Sequence, residues 1–223
     1  MNPSSLRTEI QNLLDLFLEF DVAIYANLVV KRVHKGGMTR VTWGSPASAV
    51  LGELFRGDFA TLDDYHDWFR AETYSTVLYD GSIIQMSYDF EGDQFIGHRL
   101  AYYPCPFDVD QDLLRTEPML DIVELYRENE MSAVRLRSPL RFDCDIASQA
   151  EDHPAVHLTL LSPDCRWALV APLSPGHFVR FLFKHFYPSL WIKLSFLREW
   201  PQQLGGRTIT PEQETIRHIA CSR

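Results

Sequence analysis

The sequence predicts an α+β fold: a largely antiparallel sheet with flanking helices at both ends. Three observations lead there. Strand-like segments in the middle of the chain follow one another as hairpins, joined by short turns such as Asp80-Gly81. Helical periodicity gathers near the two ends. No β-helix-β alternation of the kind that builds a parallel sheet is visible. Residues 1–223 are accordingly read as one α+β domain.

Residues 4–20 read as an amphipathic helix. Leu6, Ile10, Leu13, Leu14, Phe17 and Leu18 fall on one stripe, and Ser4 or Ser5 is the expected cap. Residues 22–33 are rich in β-branched and aromatic types and fit either a strand or an extension of that helix. K-G-G-M turns the chain, and T-R-V-T-W resumes as a strand. Thr61 caps a second helix over 61–71, with Asp63 and Asp64 at its positive end. The hairpin around Asp80-Gly81 follows. Glu91-Gly92-Asp93 turns the chain again, and Q-F-I-G-H-R-L-A-Y-Y-P-C makes the next strand, closed by Pro104 and Pro106.

Residues 109–130 begin as an acidic loop and continue as a helix through M-L-D-I-V-E-L-Y-R-E-N. Residues 133–146 carry the clearest pattern of the chain. Val134, Leu136, Leu140, Phe142, Cys144 and Ile146 share one parity; Arg135, Arg137, Arg141, Asp143 and Asp145 share the other. That is a strand with one apolar and one charged face, kinked or edged at Pro139. H-L-T-L-L and R-W-A-L-V-A-P-L follow as strands around the turn S-P-D-C. Ser174-Pro175 starts a helix whose expected core stripe is Phe178, Phe181, Leu182, His185 and Phe186, ending at Pro188. T-P-E-Q-E-T-I-R-H-I-A closes the chain as a helix capped by Thr210.

Composition excludes several classes. With 46% hydrophobic and 23% charged residues the chain is neither disordered nor fibrous. No apolar run approaches the roughly 20 residues that span a bilayer, and M-N-P-S-S-L-R-T-E-I-Q lacks the apolar core of a secretory leader. A cytoplasmic protein without a membrane partner is expected. The net charge of −9 argues against a general nucleic-acid coat, but its distribution is uneven. Residues 53–130 hold 18 acidic and 5 basic residues; residues 165–223 hold 8 basic and 3 acidic. The basic end could meet nucleic-acid phosphates, a protein partner, or the acidic half of a second copy, or simply solvate the last helices. Cys105, Cys144, Cys165 and Cys221 form no C-x-x-C pair and are expected to be inert thiols. There is no phosphate loop and no G-x-S-x-G elbow. Asp63, Asp64 and Asp67 are explained by the helix dipole, and Asp108, Asp110 and Asp112 lack the rest of a calcium loop.

Polar chemistry concentrates in residues 141–187. Parity puts Arg141 and Asp143 on one sheet face. A neighbouring strand would bring His157 and Thr159 alongside, and Arg166 opens the strand after it. Cross-strand neighbours stand about 5 Å apart, so an Arg-Asp-His-Arg cluster is easily built. H-P-A-V-H leaves three readings. One is a zinc site with Cys144 and Cys165, although on an extended strand the His153 and His157 rings would stand roughly 13 Å apart. Another is acid–base work on a phosphodiester held by Arg141 or Arg166. The last is structural, with His157 bonded across to Asp143. No metal and no cofactor is expected. His98, Arg99, Tyr102 and Tyr103 lie on a strand whose basic and aromatic face could stack bases, although such a face is more often simply packed in the sheet.

The runs R-F-D-C-D, H-P-A-V-H-L-T-L, C-R-W-A-L-V-A-P-L-S-P and H-F-V-R-F-L-F-K-H-F-Y-P resemble a bacterial family of uncharacterised proteins, domain of unknown function 2290. Its pattern runs R-x-D-Y-D, H-P-x-x-H-L, C-R-I-P and a helix ending in F-Y. The four motifs fall in order over the last third, and H-R-L-x-Y and the hairpins fit its layout. Cys144 stands where an aromatic residue is usual, and Trp167 where an aliphatic one is. The resemblance implies small cytoplasmic proteins, often encoded among defence and mobile-element genes. It singles out Arg141, Asp143, His153, His157, Arg166 and Tyr187. Together these readings make Arg141, Asp143, His153, His157 and Arg166 the catalytic candidates. His98, Arg99, Tyr187, Arg180 and Lys184 are the binding candidates. The expected role is an accessory or partner-binding subunit of a defence or toxin–antitoxin-type assembly; a toxin-like phosphodiesterase or ribonuclease is the alternative.

Overall fold

The computed structural model describes residues 2–44, 61–129, 133–150, 153–160, 164–199 and 204–216. Helix α1 (Pro3–Glu19) buries Leu6, Ile10, Leu13, Leu14 and Phe17. Its cap is Asn2 rather than Ser4 or Ser5, in a reciprocal capping box with Ser5. Pro3 explains the shift: its fixed φ and missing N–H suit the first helical position, so the cap lies one residue before it. The ambiguous run 22–33 is extended, split into β1 (Ala23–Ala26) and β2 (Val29–Val33). A turn through Gly36 and Gly37 joins β2 to β3 (Met38–Trp43).

Thr61 and Asp64 form a second capping box on α2 (Leu62–Arg70). Strands β4 (Thr76–Leu78), β5 (Ile83–Glu91) and β6 (Gln94–Tyr103) follow as hairpins. At the β4–β5 turn Gly81 has φ +83°, and a Cβ there would stand 2.8 Å from Met119 Cε. The backbone conformation therefore favours glycine, and a Cβ there would also make the Met119 side chain shift. Two helices, α3 (Gln111–Thr116) and α4 (Met119–Asn129), precede β7 (Leu140–Asp145), β8 (Val156–Leu160) and β9 (Arg166–Ala168). The chain closes with α5 (Pro175–Phe186), α6 (Pro188–Lys193), a 3₁₀ turn (Ser195–Arg198) and α7 (Pro211–Ile216). Residues 217–220 of the expected last helix, and part of the S-P-D-C turn, lie outside the described residues.

The sheet is antiparallel throughout, in the order β1-β4-β5-β6-β7-β8-β9, with the β2–β3 hairpin attached to β5 through β3. This is the α+β architecture expected. Its two faces are unlike. One face packs Met86, Tyr88, Leu100, Tyr102, Leu140 and Phe142 against α1 and α5. The opposite face packs Val77, Ile83, Ala101 and Tyr103 against α2, α3 and α4. That second core stops at β6. Beyond it, over β7, β8 and β9, the same face is polar.

Three local expectations are corrected. The strand read over 133–146 begins only after Pro139, whose missing N–H cannot join a ladder. Upstream of it Val134 makes an isolated bridge to Phe107, and Leu136 is fully exposed. The stripe of α5 is rotated: Phe178, Val179, Leu182 and Phe183 are buried, while His185 and Phe186 face outward. The segment R-W-A-L-V-A-P-L is a strand only at its first three residues. The Val170 carbonyl instead accepts amides from Thr208 and Ile209, so the later chain takes over the ladder position.

Candidate anion-binding face

Register puts the polar residues into two adjacent rows across the sheet. In the first, Arg99 on β6 pairs with Asp143 on β7, and Asp143 with His157 on β8. In the second, Arg141 on β7 pairs with Thr159 on β8, and Thr159 with Arg166 on β9. Directly paired residues point to the same side. Arg99, Arg141, Asp143, His157, Thr159 and Arg166 therefore share one flank, beside the α2–α4 layer.

Asp143 is the hub. Its side chain is 9% exposed, and each carboxylate oxygen receives one guanidinium. Arg99 Nε donates to Oδ1 at 3.1 Å and Arg141 Nε to Oδ2 at 2.6 Å. Burial would raise the Asp143 pKa, but the Arg141 and Arg99 guanidiniums outweigh it and hold the carboxyl below its usual value. Asp143 is thus ionised and fixes the two arginines in place. The arginines are only partly covered, Arg141 at 24% and Arg99 at 39% side-chain exposure.

His157 lies under this layer, 2% exposed. Its Nδ1 donates to the Pro154 carbonyl at 2.8 Å, because a carbonyl can only accept. Its Nε2 stands 3.7 Å from Asp143 Oδ2. Burial lowers its pKa, with the Pro154 carbonyl and Asp143 pulling the other way and the His153 and Arg166 charges adding to the decrease. The bond to Pro154 folds residues 153–157 back on themselves, and the His153 and His157 rings meet edge-on at 4.8 Å. The wide separation expected of an extended strand is therefore overturned: β8 starts at Val156, and His153 sits in the turn before it.

The face also holds unfulfilled polar atoms. Arg166 Nε, Thr159 Oγ1 and His153 Nδ1 are buried with no hydrogen-bond partner among the described residues. The nearest carboxylate to Arg166 is that of Asp164, 3.9 Å away and 90% exposed. The contrast with Arg40 is informative. At the far end of the same face Arg40 is matched fork to fork by Asp89, at 2.7 and 2.8 Å. Leaving a guanidinium Nε and a hydroxyl buried without partners is costly for a purely structural network. It suits a surface that an anion completes.

The remaining sequence candidates go elsewhere. Adjacent residues on a strand face opposite sides, so His98 points into the α1–α5 core and away from Arg99. The Leu173 amide donates to His98 Nε2 at 2.9 Å, which leaves Nδ1 to donate to the Phe142 carbonyl at 3.3 Å. Burial pushes this imidazole down to about 4, against Asp143 and that carbonyl. Tyr102 lies on that side too. Its hydroxyl is 2.9 Å from that of Tyr187, which donates to Asp80 Oδ2 at 2.9 Å. Arg180 lies over the Trp191 ring at 5.9 Å, and Lys184 is exposed on α5. Cys144 faces the core, with its thiol pushed up to about 12 by burial. Among the described residues no group of three or more metal-ligating side chains gathers. Thr159 stands beside His157 as strand parity places it, although it is not among the catalytic or binding candidates.

An antiparallel α+β sheet with a guanidinium-rich flank defines a class of architecture without naming a reaction. The family model described as "Uncharacterized conserved protein (DUF2290)" matches residues 23–221, and the chain belongs to that family. No curated protein and no solved structure matches it.

Proposed function

We propose that the chain acts by recognising a phosphate-bearing ligand on the Arg99–Arg141–Arg166 face. It would serve as an accessory, partner-binding module of a bacterial defence or toxin–antitoxin-type assembly in the cytoplasm. One observation carries the reading: the Arg99 and Arg141 guanidiniums flank a single buried carboxylate, and on the neighbouring strands of the same face Arg166 Nε and Thr159 Oγ1 lack partners among the described residues. Guanidiniums match phosphate oxygens in geometry and charge. No described helix is long and apolar enough to cross a membrane.

Calorimetric titration with inorganic pyrophosphate tests this. Binding should weaken steeply with salt, and Arg166→Ala should weaken it about tenfold or more. Failure of the wild-type protein to bind, or equal binding by the variant, overturns the reading.

The ribonuclease alternative has one observation in its favour, the contact between the His153 and His157 rings beside Arg141 and Arg166. It predicts growth arrest on expression, relieved by His157→Ala or Arg166→Ala. Binding is favoured over cleavage because His157 is sealed and its Nδ1 is committed to Pro154. A general base needs a reachable nitrogen.

A further inference from the structure

A cleft of about 200 Å³ opens between α2 and the end of β6, lined by Tyr65, Trp68, Tyr103, Leu136, Arg137 and Pro139 among others. Drug-sized ligands usually occupy roughly 300–1,000 Å³, so this one suits one planar ring system. Three aromatic and three proline rings line it, beside aliphatic and arginine side chains. Trp68 and Tyr103 stand 4.0 Å apart, centroid to centroid. The Arg137 guanidinium donates to the Cys105 carbonyl.

The cleft adjoins the anion face. Pro139 lines the cleft, and Arg141 lies two residues further along β7. Tyr103 lines it too, and Ala101, two residues back on β6, pairs with Arg141. Two residues along a strand cover about 7 Å. An apolar, ring-lined slot thus ends where the guanidiniums begin, separated by roughly one sugar ring.

We propose that cleft and arginines form one composite site for a nucleoside 5′-phosphate, with the base between the Trp68–Tyr103 wall and Pro139 and the phosphate on Arg141 and Arg166. This rests on the phosphate reading above and adds the chemical class of the ligand. Base-on-aromatic contact supplies affinity with little sequence preference, and the arginines supply charge. The phosphate can come from a free nucleotide or from the 5′ end of an RNA strand, since both present the same group.

The test compares AMP with ribose 5-phosphate on the wild-type protein, read by calorimetry and by quenching of tryptophan fluorescence. AMP should bind about tenfold tighter or more, the base making the difference. Equal affinities overturn the base slot and leave the phosphate face standing. Absence of binding by both overturns the two together. Val134→Phe, at the cleft wall, should erase the AMP preference while leaving ribose 5-phosphate affinity unchanged; a retained preference in the folded variant counts against the proposal. The wild-type comparison decides the matter if that variant does not fold. A 5′-phosphorylated oligoadenylate forms the last arm. Binding tighter than AMP identifies a strand end as the source, and weaker binding a free nucleotide; each supports the base slot only alongside the AMP preference.

Discussion

Replacing Asp143 with Asn keeps the outline of the side chain and removes its charge. Arg99 and Arg141 would then face each other without a counter-ion. Since both are partly solvated, the expected loss is about 2 kcal/mol, measured by urea denaturation. The folded carboxyl titrates below its usual value, so its stabilisation is present above the ordinary carboxylate pKa and is lost as pH falls through the lower, folded one. His98 acts in a different window. Its folded pKa of about 4 lies below the ordinary imidazole value of about 6.5, so between those values the unfolded chain takes up the proton first. Stability should fall by about 3 kcal/mol from pH 6.5 to pH 4 and level off below. His98→Gln, which can keep an amide donor and acceptor, should flatten that slope in denaturation curves; an unchanged slope would assign it elsewhere. The alternation of residues 140–145 made Arg141 and Asp143 legible as neighbours on one side. It did not reveal that Asp143 is buried, because parity gives a direction and says nothing of what lies over it. Nor did it reveal the His153–His157 contact, which comes from a fold-back through the Pro154 carbonyl.

Elements, like residues, were readable where their signals are local. Thr61 and Ser174 announced two helix starts because capping depends on the next three residues alone. Ser174→Ala should cost about 1 kcal/mol, seen as a lower urea midpoint with an unchanged slope. The α5 stripe was misread since Phe178, Phe181, Leu182, His185 and Phe186 and the observed Phe178, Val179, Leu182 and Phe183 are both helical stripes, offset by a fraction of a turn. Four aromatic residues on one helix leave its apolar face broad, and the surface it meets chooses the centre. The β6–β7 pair has a tighter requirement. The β5–β6 register shifts between Asp89 and Phe90, and a Cβ on Gly97 would stand 2.7 Å from the Cys144 carbonyl. Gly97→Ala should push β7 away from β6 at the row next to Arg99 and Asp143. The expected cost is about 2 kcal/mol, with weakened pyrophosphate binding in the same protein.

On the scale of the whole molecule, a ligand that binds only the folded form stabilises it by mass action. At one hundred times its Kd the gain is about 2.7 kcal/mol, or roughly 5–10 °C in Tm for a chain of this size. Pyrophosphate should raise the Tm of the wild-type protein in differential scanning fluorimetry, and the tenfold weaker site of Arg166→Ala should give about half that shift or less. The antiparallel α+β architecture was legible in the succession of hairpins. The cleft beside α2 was not, since Trp68 and Tyr103 are 35 residues apart in the chain and no local pattern brings them together. His98 links the two halves of the sheet's surroundings in an unusual currency. Its ring accepts from one peptide group and donates to another, so it stands in for a missing backbone unit between the Phe142 carbonyl and the Leu173 amide. The proton of Leu173 is therefore a built-in spectroscopic probe: its exchange rate with deuterated solvent reports whether the strand carrying Asp143 and the entrance to α5 are still clasped.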